Sequence, residues 1–255
     1  MNPRQPLGER WVGPAFGLTH EQFETWERAV SNDPDNLCAR GLLIAFGPLD
    51  QERRDIHLTR VDHLVWMIQH HPEWDGFSLE PFHGLEDLRP RHELDGASYK
   101  RLTLAWLMQL GQEQRSGMAL HNAAMFFAIR EPEFAAGLLK RAIALEPAED
   151  LYVERLGVVY AFAQVRTERL VPYGVANTPQ RVNFARQARE FLRSSDNWIL
   201  VKGAALALWH CGCDVDQVGN ELMARADTLP GKTQIPSWSE GFRKNRCNAW
   251  SSEHQ

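Results

Sequence analysis

The sequence predicts an all-α protein of about ten helices, and three observations carry that reading. Apolar residues recur at helical spacing from Phe23 to the neighbourhood of Leu229. No stretch sustains the alternation of period two, bounded by hairpin turns, that a half-buried strand requires. Each periodic stretch is bounded by Pro, Gly, Asn, Asp or Ser, the residues that cap or stop helices.

The first helix starts after Thr19, which with Gln22 forms a capping-box pattern ahead of "FETWERAV", and it stops at "NDPDN". Further helices are expected over 37–46, 53–70, 98–110, 116–130, 132–145, 149–165, 179–193, 196–211 and 214–228. Pro132 and Pro179 are start signals, because the first helical turn has no use for the N–H that proline lacks. Two stretches break the pattern: an irregular insert at 75–98 and a loop at 165–179. A compact domain carries an insert as long as the first only as a functional loop, a wrap or a disordered segment. The organisation read from this is an N-terminal arm at 1–18, a helical domain at 19–229 and a C-terminal tail at 230–255.

A chain of 255 residues can bury a substantial core without staples. Its 28 basic and 33 acidic residues leave a net charge of −5, with no basic run long enough to follow a phosphate backbone, so nucleic acid is not an expected partner. Pro and Gly interrupt "MNPRQPLGERWVGPAFGLTH" where a secretory leader needs an apolar core, and no run approaches the roughly 18 apolar residues of a membrane span. A cytoplasmic protein with no membrane partner is expected. The cysteines Cys38, Cys211, Cys213 and Cys247 fit free thiols better than a disulfide framework. The excess of Arg over Lys suggests a bacterial genome of high GC content.

The segment "LHNAAMFFAIREPEFAAGLLKRAIALEP" (120–147) contains two apolar helical patterns and closes on proline. On a 34-residue frame ending at Pro147, Ala123 and Phe126 fall on the first helix and Ala135, Leu139 and Ala142 on the second. Leu156, Gly157 and Tyr160 continue the frame into the next unit. This resembles the tetratricopeptide repeat, in which small residues sit where antiparallel helices cross and proline ends the second helix. Looser matches occur at Trp26, Ala29 and Pro34, at Leu64, Met67 and Pro72, and at Gly219, Met223 and Ala226. The resemblance implies antiparallel helix pairs stacked as a short tetratricopeptide-like α-solenoid, with its regularity interrupted by the 165–179 loop.

Several combinations suggest chemistry, and in each case the spacing argues against it. His70, His71 and Glu73, with His83 and His92 beyond, supply metal-ligand types without an i, i+4 pair. "WHCGC" at 209–213 lacks the second cluster of a zinc site and is not a C-x-x-C redox pair. "ADTLPGKT" at 226–233 resembles a phosphate loop, but a helix precedes it where a buried strand is required. No nucleophile elbow is present. Asn122 stands where the repeat places an apolar residue and is expected to be a buried polar group bonding a loop carbonyl. No catalytic residue, metal or cofactor is expected.

The resemblance implies a concave surface lined by the first helix of each pair. In the best-matched unit this means Leu120, His121, Ala124, Phe127 and Ala128; in the next, Leu151, Glu154, Arg155, Val158 and Phe162. The expected function is therefore a non-enzymatic scaffold or adaptor that binds a protein or peptide partner there. Ala124 and Val158 stand where a carboxylate-clamping member would carry asparagine, which disfavours recognition of a chain's C-terminus. Two alternatives remain. One is an enzyme or enzyme subunit whose pocket is covered by 75–98 and 165–179, with His83, His92 and Arg169 available to it; the other is an accessory subunit that forms a homo-oligomer through apolar helix faces.

Overall fold

The computed structural model describes residues 20–46, 54–74, 77, 96–112, 116–165, 178–210 and 217–230. Among these are ten α-helices and no strand: α1 (His20–Asn32), α2 (Leu37–Phe46), α3 (Arg54–His70), α4 (Gly96–Leu110), α5 (Gly117–Phe127), α6 (Pro132–Leu145), α7 (Asp150–Ala163), α8 (Pro179–Ser194), α9 (Trp198–His210) and α10 (Val218–Ala226). The all-α expectation holds. The arm, most of the 75–98 insert, nearly all of the 165–179 loop and all but the first residue of the tail lie outside the described residues.

Helix starts follow the local chemistry. The Asn36, Ser116, Thr178 and Asn197 side chains accept hydrogen bonds from the amides of Ala39, Ala119, Arg181 and Leu200, at 2.9, 3.2, 3.2 and 3.1 Å. Each pairs one of the N–H groups that a helix start leaves open. Pro132 and Pro179 occupy the first turns of α6 and α8. The short connections at 33–36, 128–131 and 146–149 turn the chain back, so α1 packs on α2, α5 on α6 and α6 on α7.

The contacts gather into two compact units, α1–α4 and α5–α10. In the first, Phe23, Trp26 and Val30 of α1 pack with Ala39 and Leu43 of α2, the i, i+3, i+7 and i, i+4 spacings of single helix faces. Val61, Leu64, Met67 and Ile68 bury one side of α3. On α4, Arg101 pairs with Asp62 of α3, and Gln109 donates to the Gln69 carbonyl at 2.9 Å. Cys38 is disulfide-bonded, which corrects the expectation of four free thiols.

In the second unit α7 also packs on α9, the next helix but one. Gly157 makes that approach possible: a Cβ there would stand 2.1 Å from the Leu200 carbonyl oxygen. A Cβ at Gly203 would stand 2.6 Å from the Glu154 carbonyl oxygen, so the two backbones come close from both sides. Ala135, Leu139 and Ala142 of α6, Val159 and Ala161 of α7, and Val201, Ala204 and Ala205 of α9 are fully buried.

Candidate functional site

The first helices of the two units with the best repeat match, α5 and α7, are held in place by a carboxylate. Glu146, which follows α6, accepts the Gly117 backbone N–H through Oε1 at 2.7 Å and the Tyr152 hydroxyl through Oε2 at 2.8 Å. A carboxylate at the N-terminus of α5 also complements the helix dipole. Burial and the adjacent Glu146 carboxylate push the Tyr152 hydroxyl well above its usual pKa, so it remains a donor. One side chain thus ties α5, α6 and α7 together.

Of the ten residues expected on a concave surface, seven are covered. Leu120, His121, Ala124, Phe127, Ala128, Arg155 and Val158 are all buried, at 5% exposure or less. Leu151, Glu154 and Phe162 are half-buried. The expectation of an open groove across α5 and α7 is therefore corrected: these helices are enclosed on most sides. The physical reason is composition. From Gly117 to Ile129 the chain has no charged residue, and a helix that is apolar all round buries all round.

The covered face is not wholly apolar. His121, Asn122 and Arg155 lie in it at 0, 2 and 3% exposure. The His121 Nδ1 and Asn122 Oδ1 atoms are 3.1 Å apart; since the amide oxygen can only accept, the imidazole carries its hydrogen on Nδ1 and leaves Nε2 as an acceptor. Nε2 is buried with no hydrogen-bond partner among the described residues. Burial, and secondarily the Arg155 guanidinium, lower the His121 pKa to about 3, so the ring is neutral. Its ring lies 5.7 Å from that of Tyr152, centroid to centroid. Asn122 is buried as expected, and its Oδ1 partner is the neighbouring imidazole.

A residue that sequence reasoning missed closes the same region. Arg181 of α8 donates to the Ile129 carbonyl at 2.8 Å and to the Phe162 carbonyl at 3.4 Å, joining the ends of α5 and α7. Carbonyls at helix C-termini favour a cation through the helix dipole, and the Phe162 carbonyl accepts from Arg181 in addition to the Val165 amide. The signal was its spacing: Arg181 precedes Phe184, Ala188 and Leu192 at i, i+3, i+7 and i+11, the buried face of α8, within the first turn after the Thr178 cap.

The other candidates make contacts of their own or lie outside the described residues. His70 stacks on Trp66 at 4.3 Å and donates through Nδ1 to the Trp66 carbonyl at 2.8 Å, while His71 lies 3.4 Å from Asp35. No group of three metal-ligand side chains occurs among the described residues. His83, His92, Arg169, Cys211, Cys213, Cys247 and Lys232 lie outside them. A surface recess of about 490 Å³ is lined by Pro179, Val182, Asn183 and Arg186 of α8, all exposed.

The fold thus defines a class: an all-α protein of directly packed consecutive helices, with a buried polar seam where α5 meets α7. No protein-family model, curated protein or solved structure matches the chain. No described helix is long and apolar enough to cross a membrane.

Proposed function

We propose that the chain is a non-enzymatic interaction scaffold, built as a short solenoid of helix pairs resembling the tetratricopeptide repeat, that binds a protein or peptide partner. The observation that carries this reading is the packing of α7 on α9 at Gly157 and Gly203, because solenoids stack each first helix on the next. The first unit supports the same periodicity: the Glu27–His63 and Asp35–His71 contacts both span 36 residues. With seven of the expected contact residues covered, the accessible part of the docking face is the line Leu151, Glu154 and Phe162 along α7.

A disulfide at Cys38 weighs against a reducing cytoplasm, since such bonds persist mainly in oxidising compartments. One observation favours a second reading, an enzyme subunit with a covered pocket. The unpaired Nε2 of His121 lies beside buried Arg155, and polar groups on a covered face suit a small polar ligand as well as a partner segment.

Co-purification of the full chain, followed by hydroxyl-radical footprinting of the captured complex, tests the proposal. Protection is expected at Leu151 and Phe162. Protection confined to other helices, or a stoichiometric small molecule in place of a protein, would favour the second reading.

A further inference from the structure

We infer that His63 is an acid-sensitive latch, whose hydrogen bond from Arg40 of α2 forms only while its imidazole is neutral. The inference stands on a two-sided hydrogen-bond arrangement inside the first unit and does not depend on the proposed binding function. Arg40 of α2 places Nη1 3.0 Å from His63 Nδ1, and both side chains are buried. A guanidinium has only donors, so Nδ1 must accept. The ring hydrogen then sits on Nε2, which donates to the Glu27 carboxylate of α1 at 3.2 Å. One imidazole joins three helices, and its tautomer is fixed by its neighbours.

Adding a proton changes the two sides unequally. The Glu27 contact becomes a charged pair and strengthens. On the other side a new N–H on Nδ1 meets the N–H of Arg40 at a separation that held a hydrogen bond, and the contact becomes repulsive. Arg40 makes two further contacts at the same time: its Nε donates to the Pro34 carbonyl at 2.8 Å, and its guanidinium carbon lies 3.5 Å from the ring centroid of Trp66 on α3. Protonation therefore tightens α1 on α3 while removing one of the two contacts that Arg40 of α2 makes to α3, the hydrogen bond to His63, and leaving the one to Trp66.

The charged groups that act on the ring are Glu27 from α1, Arg40 from α2 and Asp62 on α3 itself; Asp35 acts on Arg40. The two carboxylates favour the imidazolium, whereas burial, the largest influence, and Arg40 oppose it. The balance lowers the His63 pKa below its usual value of 6.5. The change thus falls on the acid side of the usual imidazole range.

The test uses the full chain. Long-range ¹H–¹⁵N NMR of the imidazole nitrogens, assigned with His63→Gln, should show the Nε2–H form of His63 at pH 7.5. Amide exchange of 37–46, corrected for the intrinsic chemical rate, should then accelerate as the pH falls from 7.5 through the usual imidazole range, because the open state takes up the proton that the closed state resists. In His63→Gln, whose amide can accept from Arg40 and donate to Glu27 at either pH, the corrected rate should change less than about twofold. Should that variant not fold, Glu27→Gln provides the same discrimination, because losing the carboxylate that favours the imidazolium should move the acceleration to lower pH. An Nδ1–H tautomer at pH 7.5 would overturn the inference, as would equal acceleration in wild type and His63→Gln, or a midpoint unmoved in Glu27→Gln.

Discussion

Gly157 of α7 and Gly203 of α9 each face the other helix's backbone: their missing Cβ atoms would stand 2.1 and 2.6 Å from the carbonyl oxygens of Leu200 and Glu154. No rotamer change relieves a contact with backbone, so a methyl group at either position must push the helices apart. Gly157→Ala and Gly203→Ala should each lower unfolding free energy by about 1–3 kcal/mol or more, outweighing the roughly 1 kcal/mol by which alanine favours a helix. Gly137 on α6 is exposed, with open space where its Cβ would be, and Gly137→Ala should stabilise by up to about 1 kcal/mol. Chemical denaturation of the three variants checks the contrast, and a stabilised Gly157→Ala would remove the close crossing.

Ala135 and Ala142 are completely buried on α6, at the positions where the repeat frame needs small residues. Replacing either with leucine should overpack the site and cost about 1–3 kcal/mol. Unchanged melting temperatures in both variants would show the register to be wrong.

Phe127 and Arg155 suit an open groove as binding anchors, but both are 3% exposed and their removal should act on stability. Phe127→Ala should cost about 3–5 kcal/mol as a cavity. Arg155→Glu should cost a similar amount by placing an unmatched charge in the interior, about 3–5 kcal/mol by analogy with broken buried pairs, while Arg155→Met should be far milder. Arg155→Met should also raise the His121 pKa from about 3, since the guanidinium is one cause of its depression. Denaturation curves and imidazole NMR measure the two effects separately.

Acid should destabilise the chain through His121. The unfolded residue takes up a proton below its usual pKa of 6.5, whereas the folded one remains neutral down to about 3. Over that window the unfolded state binds more protons, and this site makes stability fall with falling pH by up to about 1.4 kcal/mol per unit. His121→Gln should flatten the profile between pH 6 and about 4 relative to wild type. An unaltered slope would mean that the imidazole is reached by solvent or is already charged.

A disulfide at Cys38 accounts for two of the four cysteines. Thiol titration of the denatured chain, purified without reductant, should therefore find no more than two free thiols. Four would restore the free-thiol expectation.

Helices were legible where capping and periodicity coincide: α5 behind Ser116, α6 behind Glu131–Pro132 and α8 behind Thr178–Pro179 all begin where the sequence places them. The small residues that allow close crossings were legible too, because Gly157 lies on the repeat frame. The covered face was not read, although its signal was present. "GMALHNAAMFFAI" contains no charge on any side, and a frame borrowed from a repeat with an open groove concealed what that composition means. The Glu27–His63–Arg40 relay and the Arg181 clamp were beyond reach. They join residues 19 to 52 positions apart, and such pairings exist only once the helices are placed.

The central claim is that the chain works as a docking surface along α7, and a binding titration of the co-purified partner tests it most directly. Phe162→Ala and Leu151→Ala should each weaken binding by about 1–2 kcal/mol, roughly five- to thirtyfold in Kd, with unfolding curves close to wild type. Val182→Ala, a truncation at an exposed site on α8, should leave Kd unaltered. Wild-type affinity in both α7 variants, or a loss confined to Val182→Ala, would contradict the account.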